Sequence, residues 1–439
     1  MDTPILDFLQ RYSDRKTVRF HVPGHKGRSL LGMENLDITE VAGADALYEA
    51  QGIIAQSEAN ATKLFGSQAS FYSTEGSSQC IRAMLHLVMQ CRKKGSAPLI
   101  LAARNAHKAF VYAAALLDVD VQWLWPEESN SVCSCIISAD YLEKTLESMP
   151  EKPAAVYITS PDYLGNVADI SSFADICHRH GVLLAVDNAH GAYLHFLEKP
   201  MHPLDLGVDI CCDSAHKTLP VLTGGAYLHL SRNLPEEYVL RAKSALGLFG
   251  STSPSYLIMA SLDACNAYIA DGFGARLSDF CRRLEKLKTG LSERGWHVED
   301  SDPLRLTIEG SGNELAELMR ENGIEPEYSD NDHIVFMLTP QNTLEELEEL
   351  EQLLFSMKAH EHERLSLKLP ISKQFMSIRD AVFSACETVP VDKAVGRICA
   401  APLVSCPPAI PIVVSGEIIE ENAVELLKYY GSEMIEVVI

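Results

Sequence analysis

The sequence of 439 residues is short of positive charge. It contains 37 Lys and Arg against 60 Asp and Glu, which gives a formal net charge of -23 at pH 7. Because a surplus of basic side chains is what binds a phosphate backbone, this balance argues against a general nucleic-acid binder. It is compatible with a cationic small-molecule substrate, although many acidic proteins use their charge for solubility alone.

Long hydrophobic runs are missing as well. No stretch is apolar over the roughly 20 residues that a membrane-spanning helix needs. The first residues, MDTPILDFLQRYSDRK, have neither the basic segment nor the apolar run of a signal peptide. The sequence therefore predicts a cytoplasmic protein without membrane contact.

Cysteines with metal-binding spacing are also absent. The 12 cysteines are scattered and form no C-x-x-C pair. The stretch HEHER at 360–364 does not have the H-E-x-x-H spacing of helical zinc sites and is better explained as a solvated linker. We predict buried free thiols, no disulfide framework and no metal site.

What the sequence does contain, from about residue 65 to 265, is a regular alternation of short apolar runs and amphipathic stretches. This pattern is typical of a mostly parallel sheet covered by helices, which binds ligands at the carboxyl ends of its strands. The predicted strands are 98–103, 121–125, 154–160, 182–187, 209–214 and 225–230, and the predicted helices are 77–94 and 169–181.

The character of the chain changes after 262–295, which predicts a long helix or a helix pair. The segments that follow indicate a small α+β domain, with Leu347, Leu350, Leu353 and Leu354 on the inner face of an amphipathic helix. The proline-punctuated run 394–417 favours extended and turn backbone. We predict an N-terminal arm (1–30), a large domain (31–265) and a smaller C-terminal region (266–439).

Two residues with chemical potential follow predicted strands. Lys217 stands in DSAHKTLPVLTGGAY (213–227), a turn rich in hydroxyls and glycine where a lysine can be partly desolvated and nucleophilic. Asp187 ends a strand in VDNAHG and is followed by His190. A carboxylate there needs a cationic partner or strong hydrogen bonds, unless it merely caps the following turn.

A phosphate site and an aromatic ring complete a set. In STEGSSQC, residues Gly76, Ser77 and Ser78 open a helix, where amides and hydroxyls can hold a phosphate, although serine there is more often an ordinary N-cap. His107, in RNAHKA, can stack on a ligand ring, although a core or surface histidine is commoner. A lysine, an acid, a phosphate site and a stacking ring are what pyridoxal phosphate requires. Their order along the chain is that of fold-type I pyridoxal phosphate enzymes.

Several long stretches match one family in order along the chain. They are RFHVPGHKG (19–27), DITEVAGADALYEA (37–50), FGSQASFYSTEGSSQCIRAML (65–85), ARNAHKA (103–109), VDNAHGAYLHF (186–196), DSAHKTLPVLTGGA (213–226), FGSTSPSYLIMASLD (249–263) and, more weakly, AVGRICAAPLVSCPPAIPIVVSGE (394–417). With these stretches the sequence resembles the Orn/Lys/Arg decarboxylases, in their short form without the N-terminal regulator-like domain. The resemblance implies an α/β fold of the fold-type I, pyridoxal phosphate-dependent transferase kind, with a large domain around a mostly parallel sheet and a smaller C-terminal α+β domain.

The resemblance also implies roles for particular residues. Lys217 would bind the cofactor as a Schiff base, Asp187 would pair with its pyridine nitrogen, and His107 would stack on the ring opposite Ala189. The cofactor-binding set would further include Gly76, Ser77, Ser78, His190, Ser214, His216 and Thr252, with Ser251 and Ser253 as secondary candidates. The family also implies a homodimer in which the STSPSY segment reaches a shared active site.

This chain departs from the usual family pattern at positions that we expect around the substrate. Asn188 stands in place of a glutamate, Ala109 in place of a serine, Ala46 in place of an aspartate, and Cys406 in place of a tyrosine. The cofactor set is intact, so the resemblance supports the cofactor more firmly than the substrate.

A cationic substrate needs a carboxylate beside it. Glu417 and Asp45 are the candidates, although Glu417 could equally cap the helix in EENAVELLKYYG or pair with an arginine.

The leading hypothesis is decarboxylation of arginine, lysine or ornithine to the corresponding amine, feeding polyamine biosynthesis. An alternative is a pyridoxal phosphate-dependent aminotransferase or lyase, for which Arg397 would bind the α-carboxylate of the substrate. A third is a non-catalytic regulator or scaffold that retains the fold, against which the intact cofactor set argues.

Overall fold

The computed structural model describes residues 1–127, 131–299, 302–359, 371–401 and 408–439. The chain forms two compact units, one of Met1–Lys94 with Leu183–Leu277 and the other of Gly95–Val182 with Ser278–Ile439. The HEHER stretch and Cys406 lie outside the described residues. Within the described parts, none of the helices combines the length and apolarity needed to cross a bilayer.

The helices and strands of the described residues are numbered in chain order. The helices are α1 (Pro4–Asp14), α2 (Ile53–Phe65), α3 (Gly76–Cys91), α4 (Lys108–Leu117), α5 (Ala139–Ser148), α6 (Ile170–Arg179), α7 (Ala215–Thr218), α8 (Glu236–Phe249), α9 (Tyr256–Ala270), α10 (Phe273–Ser292), α11 (Gly312–Glu321), α12 (Leu344–Ser356), α13 (Ile378–Phe383) and α14 (Glu421–Tyr429). The strands are β1 (Ala69–Ser73), β2 (Leu99–Ala103), β3 (Asp120–Leu124), β4 (Ala155–Thr159), β5 (Leu183–Asp187), β6 (Ile210–Asp213), β7 (Ala226–Leu230), β8 (His297–Glu299), β9 (Arg305–Glu309), β10 (Tyr328–Ser329), β11 (His333–Met337), β12 (Cys386–Pro390), β13 (Cys399–Ala401) and β14 (Met434–Val438).

In the first unit, strands β1, β7, β6 and β5 are neighbours in that order. β5 and β6 are parallel, whereas β7 runs antiparallel to both β6 and β1. β6 and β7 are buried along their whole length, which is why their sequences are almost continuously apolar. The predictions of strands at 182–187, 209–214 and 225–230 are confirmed.

Helix α1 packs one face against the core of this unit. α1 buries Ile5 and Leu9, and its first amides, those of Ile5 and Leu6, donate to the Asp263 carboxylate of α9 at 2.8 and 3.0 Å. A buried carboxylate thus accepts amides that the helix itself leaves without partners. The predicted helix pair in 262–295 is confirmed as α9 and α10.

In the second unit, β4, β2 and β3 are neighbours in that order and run parallel. Just after α6, Gly181 has a φ of +68°, the left-handed conformation that ends a helix with little strain in glycine. The predictions of strands at 98–103, 121–125 and 154–160 and of a helix ending near Gly181 are confirmed.

The C-terminal part of this unit adds two antiparallel sheets, with strand orders β10-β11-β9-β8 and β12-β14-β13. α12 begins with a capping box between Thr343 and Glu346. It buries Leu350 and Leu354 but leaves Leu347 and Leu353 only half-buried, so the predicted inner face is confirmed for two of its four leucines. The described part of the 394–417 run is free of helix, as predicted.

Candidate active site

Lys217 lies in a one-turn helix directly after β6. Ser214 precedes this helix as its N-cap residue, and its carbonyl oxygen accepts the Lys217 amide at 3.0 Å. The Lys217 Nζ atom lies 2.7 Å from Nε2 of His190. The lysine amine and the imidazole that follows β5 are therefore in hydrogen-bond contact.

The two glycines after this turn permit a close approach of the backbone. Gly224 has a φ of +96°, and a Cβ added there would lie 2.9 Å from the Thr74 carbonyl oxygen. The Gly224 carbonyl accepts the Gly76 amide at 2.7 Å. Glycine is thus needed where the lysine turn meets the loop before α3, because a side chain would separate the two.

The start of α3 has the features of an anion site. Gly76 takes a φ of +71°, and Ser77 Oγ accepts a hydrogen bond from Ser214 Oγ at 2.8 Å. The Gly76 amide donates to the Gly224 carbonyl. The amides of Ser77 and Ser78 lie in the first turn of the helix, where the helix supplies no acceptor and the positive end of its dipole lies. Two hydroxyls in contact therefore lie at a helix start, and this combination suits a phosphate.

His216 has a defined ring orientation. Its Nδ1 lies 3.1 Å from the Gly225 carbonyl oxygen, and because a carbonyl only accepts, Nδ1 must carry the proton. The Gly225 carbonyl also accepts the His216 amide at 3.2 Å. This hydrogen bond assigns the neutral ring to the tautomer in which Nε2 is an acceptor.

Asp187 ends β5 and is 2% exposed. Its Oδ1 accepts the Ala189 amide at 3.1 Å and lies 3.7 Å from the Cys212 thiol. The first contact is the turn-capping that we considered for this residue. The strand end therefore delivers a buried carboxylate beside Ala189 and His190, two residues of the predicted set.

A second buried carboxylate stands at the end of β6. Asp213 Oδ2 lies 3.0 Å from His202 Nε2 and 3.1 Å from His229 Nε2, and Asp213 Oδ1 accepts from Asn188 Nδ2 at 2.7 Å. Burial would raise the pKa of Asp213, but the two histidines together lower it below its usual value. Burial lowers the pKa of His229 against the opposing effect of Asp213.

This Asp213 cluster is hydrogen-bonded rather than arranged for a metal. His202, Cys211 and Asp213 place ligand atoms within 4.8 Å of one another, as a metal site would. However, His202 Nδ1 accepts the Leu204 amide at 3.2 Å, so Nε2 of the neutral ring carries the proton and donates to Asp213. Coordination of a metal through Nε2 would need the opposite tautomer, and Nδ1 is already occupied by the Leu204 amide.

His107 belongs to the second unit, where it is the N-cap residue of α4. Its Nδ1 accepts the Ala109 amide at 3.1 Å, which fixes the ring at the end of β2. Ala109, which stands where the family usually has serine, is 2% exposed.

Thr252 lies in an exposed segment between α8 and α9, with Ser251 and Ser253 on either side. The Ser251 amide donates to Glu75 Oε1, immediately before Gly76, at 2.5 Å. This segment therefore contacts the loop before α3 of its own chain, while Ser251, Thr252 and Ser253 remain exposed.

The two carboxylates predicted to bind a cationic substrate have other partners. Asp45 Oδ2 accepts the amides of Gly52 and Ile54 at the start of α2, at 2.7 and 3.1 Å. Burial raises the pKa of Asp45, but hydrogen bonds from backbone amides, chiefly those of Gln51 and Gly52, outweigh it and lower the net pKa. Asp45 is thus a helix-capping residue.

Glu417 is 1% exposed and pairs with Arg104 at 3.1 Å, so the alternative of an arginine partner is confirmed. Burial raises the pKa of Glu417 although Arg104 opposes the shift. Arg397, the residue considered for an aminotransferase, pairs with Glu387 at 2.8 Å and donates to the Val438 carbonyl.

Sequence reasoning missed Asp213, His202 and His229. The pattern that could have identified Asp213 and His229 is a charged or polar residue within an otherwise apolar strand, as in ICCD and AYLHL, whereas His202 lies outside the strands. Such a residue is buried by its neighbours and must find a partner. Their mutual contacts were not predictable because His202 and His229 lie on separate elements.

Comparison with known proteins identifies the family of this chain. The family model for the major domain of the Orn/Lys/Arg decarboxylases matches residues 3–310, and that for their C-terminal domain matches residues 364–434. An arginine decarboxylase of Bacillus subtilis is 30% identical over 97% of this chain and 93% of its own length. One from Halalkalibacterium halodurans is also 30% identical, over 96% of this chain and 91% of its own.

Among solved structures, lysine decarboxylase A from Pseudomonas aeruginosa superposes with a TM-score of 0.81 at 17% identity, over 99% of this chain and 80% of that chain. This likeness confirms the predicted α/β fold of type I. Because the major-domain model alone covers more than half of the residues, the chain belongs to the Orn/Lys/Arg decarboxylase family and is an amino-acid decarboxylase.

Proposed function

We propose that the protein decarboxylates a basic amino acid, namely arginine, lysine or ornithine, to the corresponding amine with pyridoxal phosphate as cofactor. The observation that carries the proposal is the Lys217 turn, in which the lysine amine meets His190 at 2.7 Å and the neighbouring Ser214 hydroxyl meets Ser77 at 2.8 Å. An amine nucleophile and an anion site thus belong to one turn.

The residues present fit this cofactor. The hydroxyls of Ser77 and Ser214, together with the first-turn amides of α3, suit its phosphate. Asp187 supplies a buried carboxylate for its pyridine nitrogen, and Lys217 supplies the amine that binds it covalently. When bound, pyridoxal phosphate supplies the electron sink into which the electrons of the breaking carbon-carboxylate bond pass.

The protein's own residues bind, orient and hold protons. Asp187 would accept the hydrogen bond of the pyridine nitrogen and favour its protonated form, because an anion nearby stabilises a cation. His190 would hold or move a proton at Lys217 Nζ. His216 keeps Nε2 as an acceptor or, when protonated, as a donor toward the phosphate. We retain His107 as the ring that stacks on the cofactor.

The substrate class follows from the relatives and from charge. Two arginine decarboxylases at 30% identity favour arginine as the first substrate to test. The net charge of -23 favours a cationic amino acid over an anionic one. The amine product would feed polyamine biosynthesis.

The assembly, location and domain boundaries are further parts of the proposal. A homodimer with shared active sites is supported by the exposed Ser251–Ser253 segment beside Glu75, because its hydroxyls are open to a partner chain. We retain a cytoplasmic location and the boundaries at residues 30 and 265 from the sequence.

The test is product analysis. Protein loaded with pyridoxal phosphate is incubated separately with arginine, lysine and ornithine, and the products are identified by mass spectrometry. We expect agmatine, cadaverine or putrescine, with one carbon dioxide released for each amine. Absence of all three amines in protein that has bound the cofactor would contradict the proposal. A keto acid product would instead support the aminotransferase alternative.

A further inference from the structure

The Asp213 cluster is a buried polar network for which the proposed chemistry has no direct use. Asp213, Asn188, His202 and His229 are all 0% exposed. A buried carboxylate is tolerated only when hydrogen bonds replace its hydration, and this one accepts from three side chains.

Asn188 is the member of the cluster that belongs to the active-site segment. An ionised carboxylate only accepts hydrogen bonds, so Asn188 must present its Nδ2 to Asp213. The backbone amide of Asn188 also donates to the Cys212 carbonyl at 3.0 Å, and the backbone carbonyl of Asn188 accepts the Gly191 amide at 2.8 Å. Backbone and side chain of Asn188 are therefore both fixed.

Gly191 shows how tightly the Asn188 side chain is seated. A Cβ added at Gly191 would lie 2.1 Å from Asn188 Oδ1, so the side chain packs directly over the glycine. The short turn 188–191 is thus held at both ends, and His190 projects from it toward Lys217. A shift of Asn188 would move the turn that carries His190, because the Asn188 carbonyl accepts the Gly191 amide that closes this turn.

We propose that Asp213 is a positioning residue, which acts through Asn188 to hold His190 against the Lys217 amine. The structural part of this inference stands on the hydrogen bonds alone, and its chemical consequence rests on the proposed role of Lys217. Asp213 also ends the strand that leads into the Lys217 turn. One carboxylate therefore fixes both sides of the His190 to Lys217 contact.

The hydrogen-bonded pair of Asn188 and Asp213 can be tested by exchanging the carboxamide and the carboxylate between the two positions. Asn188→Asp alone places a second carboxylate against Asp213, and two buried like charges repel each other strongly. Asp213→Asn alone removes the charge. In the double variant, the new amide at position 213 would donate its Nδ2 to the new carboxylate at position 188. Its oxygen would face His202 and His229, where Asp213 Oδ2 now accepts them. The exchange thus restores the hydrogen bond in the reverse direction.

The measurement is the rate at which each protein without cofactor captures pyridoxal phosphate on Lys217, trapped with borohydride and located by peptide mass spectrometry. We expect Asn188→Asp to slow capture by on the order of 10-fold or more, because small misplacement of reacting groups costs such factors. The double variant should return to within about threefold of wild type.

A matched control is Asp263→Asn, which removes a buried carboxylate that serves Ser57 and the first amides of α1 in the same unit. It should lower thermal stability without slowing capture. If Asn188→Asp captures as fast as wild type, or if the double variant is no faster than Asn188→Asp, the positioning role is overturned. If wild-type protein captures nothing on Lys217, the proposed function falls, and the chemical consequence of this inference falls with it.

Discussion

Asp213 in the first unit and Glu417 in the second are both fully buried carboxylates, yet they are stabilised in different ways. Asp213 accepts hydrogen bonds from two imidazoles and an amide, and its pKa is lowered despite burial. Glu417 pairs with the cation of Arg104, and its pKa is raised because burial outweighs that partner. The three donors around Asp213 therefore outweigh its burial, whereas Arg104 and the Val414 amide do not outweigh the burial of Glu417.

The two clusters also differ in what they connect. The Asp213 cluster lies between the segments that carry Asp187 and Lys217. Arg104 instead donates to the carbonyls of Pro411 and Ile412 at 2.9 Å each, and Glu417 accepts the Val414 amide at 2.7 Å. We interpret the first cluster as support for the chemistry and the second as support for the extended C-terminal run.

The largest expected effect is that of Lys217→Ala in the first unit. Removal of the Lys217 side-chain amine should lower turnover by at least about 1,000-fold, because the covalent link to the cofactor is lost. The fold should stay intact. Lys199→Ala, an exposed lysine of the same unit, is the matched control and should keep wild-type turnover. Retained turnover in Lys217→Ala would contradict the interpretation that the Asp213 cluster supports the chemistry of Lys217.

Asp187→Ala should have the second-largest effect on turnover. The loss of the carboxylate beside the pyridine nitrogen should slow turnover by roughly 100-fold or more and weaken cofactor binding, because the charge that maintains the electron sink is gone. Steady-state kinetics and titration with pyridoxal phosphate measure both. Turnover equal to wild type would rule out the proposed role of Asp187.

Glu417→Gln addresses the second cluster. It leaves a buried arginine without its carboxylate and should lower the free energy of unfolding by about 3–5 kcal/mol. The KM for the amino acid should stay unchanged in protein that remains folded, since Glu417 is occupied by Arg104. Glu420→Gln, an exposed neighbour, should change neither quantity. A large rise in KM for Glu417→Gln alone would restore Glu417 as a substrate-binding residue.

The smallest expected effect is a pH dependence of opposite sign for the two clusters. Asp213 and His229 have lowered pKa values in the folded protein, so the stability that they contribute is lost as pH falls below 6.5 for the histidine and below 3.8 for the aspartate. Glu417 has a raised pKa, so its contribution is present below 4.5 and is lost as pH rises through the folded value.

Urea unfolding of wild type, Asp213→Asn and Glu417→Gln, at several values between about pH 7 and about pH 2, separates these contributions. The loss of stability below pH 3.8 should be shallower in Asp213→Asn than in wild type. The same slope in these two proteins would show that Asp213 is not held ionised by its partners.

The sequence predicts much of this molecule because its strong patterns are local. Strand β5 and the position of Asp187 at its end follow from one apolar run, and the Lys217 turn follows from its hydroxyls and glycines. The partners of buried charges are not local. Asp213 meets His202 and His229, and Glu417 meets Arg104, only because separate elements pack together.

The same distinction explains why Glu417 and Asp45, the two carboxylates predicted to bind a cationic substrate, have other partners in the structure. Glu417 stands in the stretch 394–417 that resembles the family, which marks it as a residue of interest but gives no information on its partner. Asp45 has a φ of +69°, and its carboxylate turns back onto the start of α2. Neither backbone conformation nor a long-range partner can be read from the spacing of residues along the chain.

The measurement that tests the account most directly is the location of the cofactor. Wild-type protein is loaded with pyridoxal phosphate, reduced with borohydride, digested and analysed by peptide mass spectrometry. The account predicts a single modified peptide with the label on Lys217, and no label in Lys217→Ala. A label on a different lysine, or none in wild-type protein that decarboxylates its substrate, would contradict it.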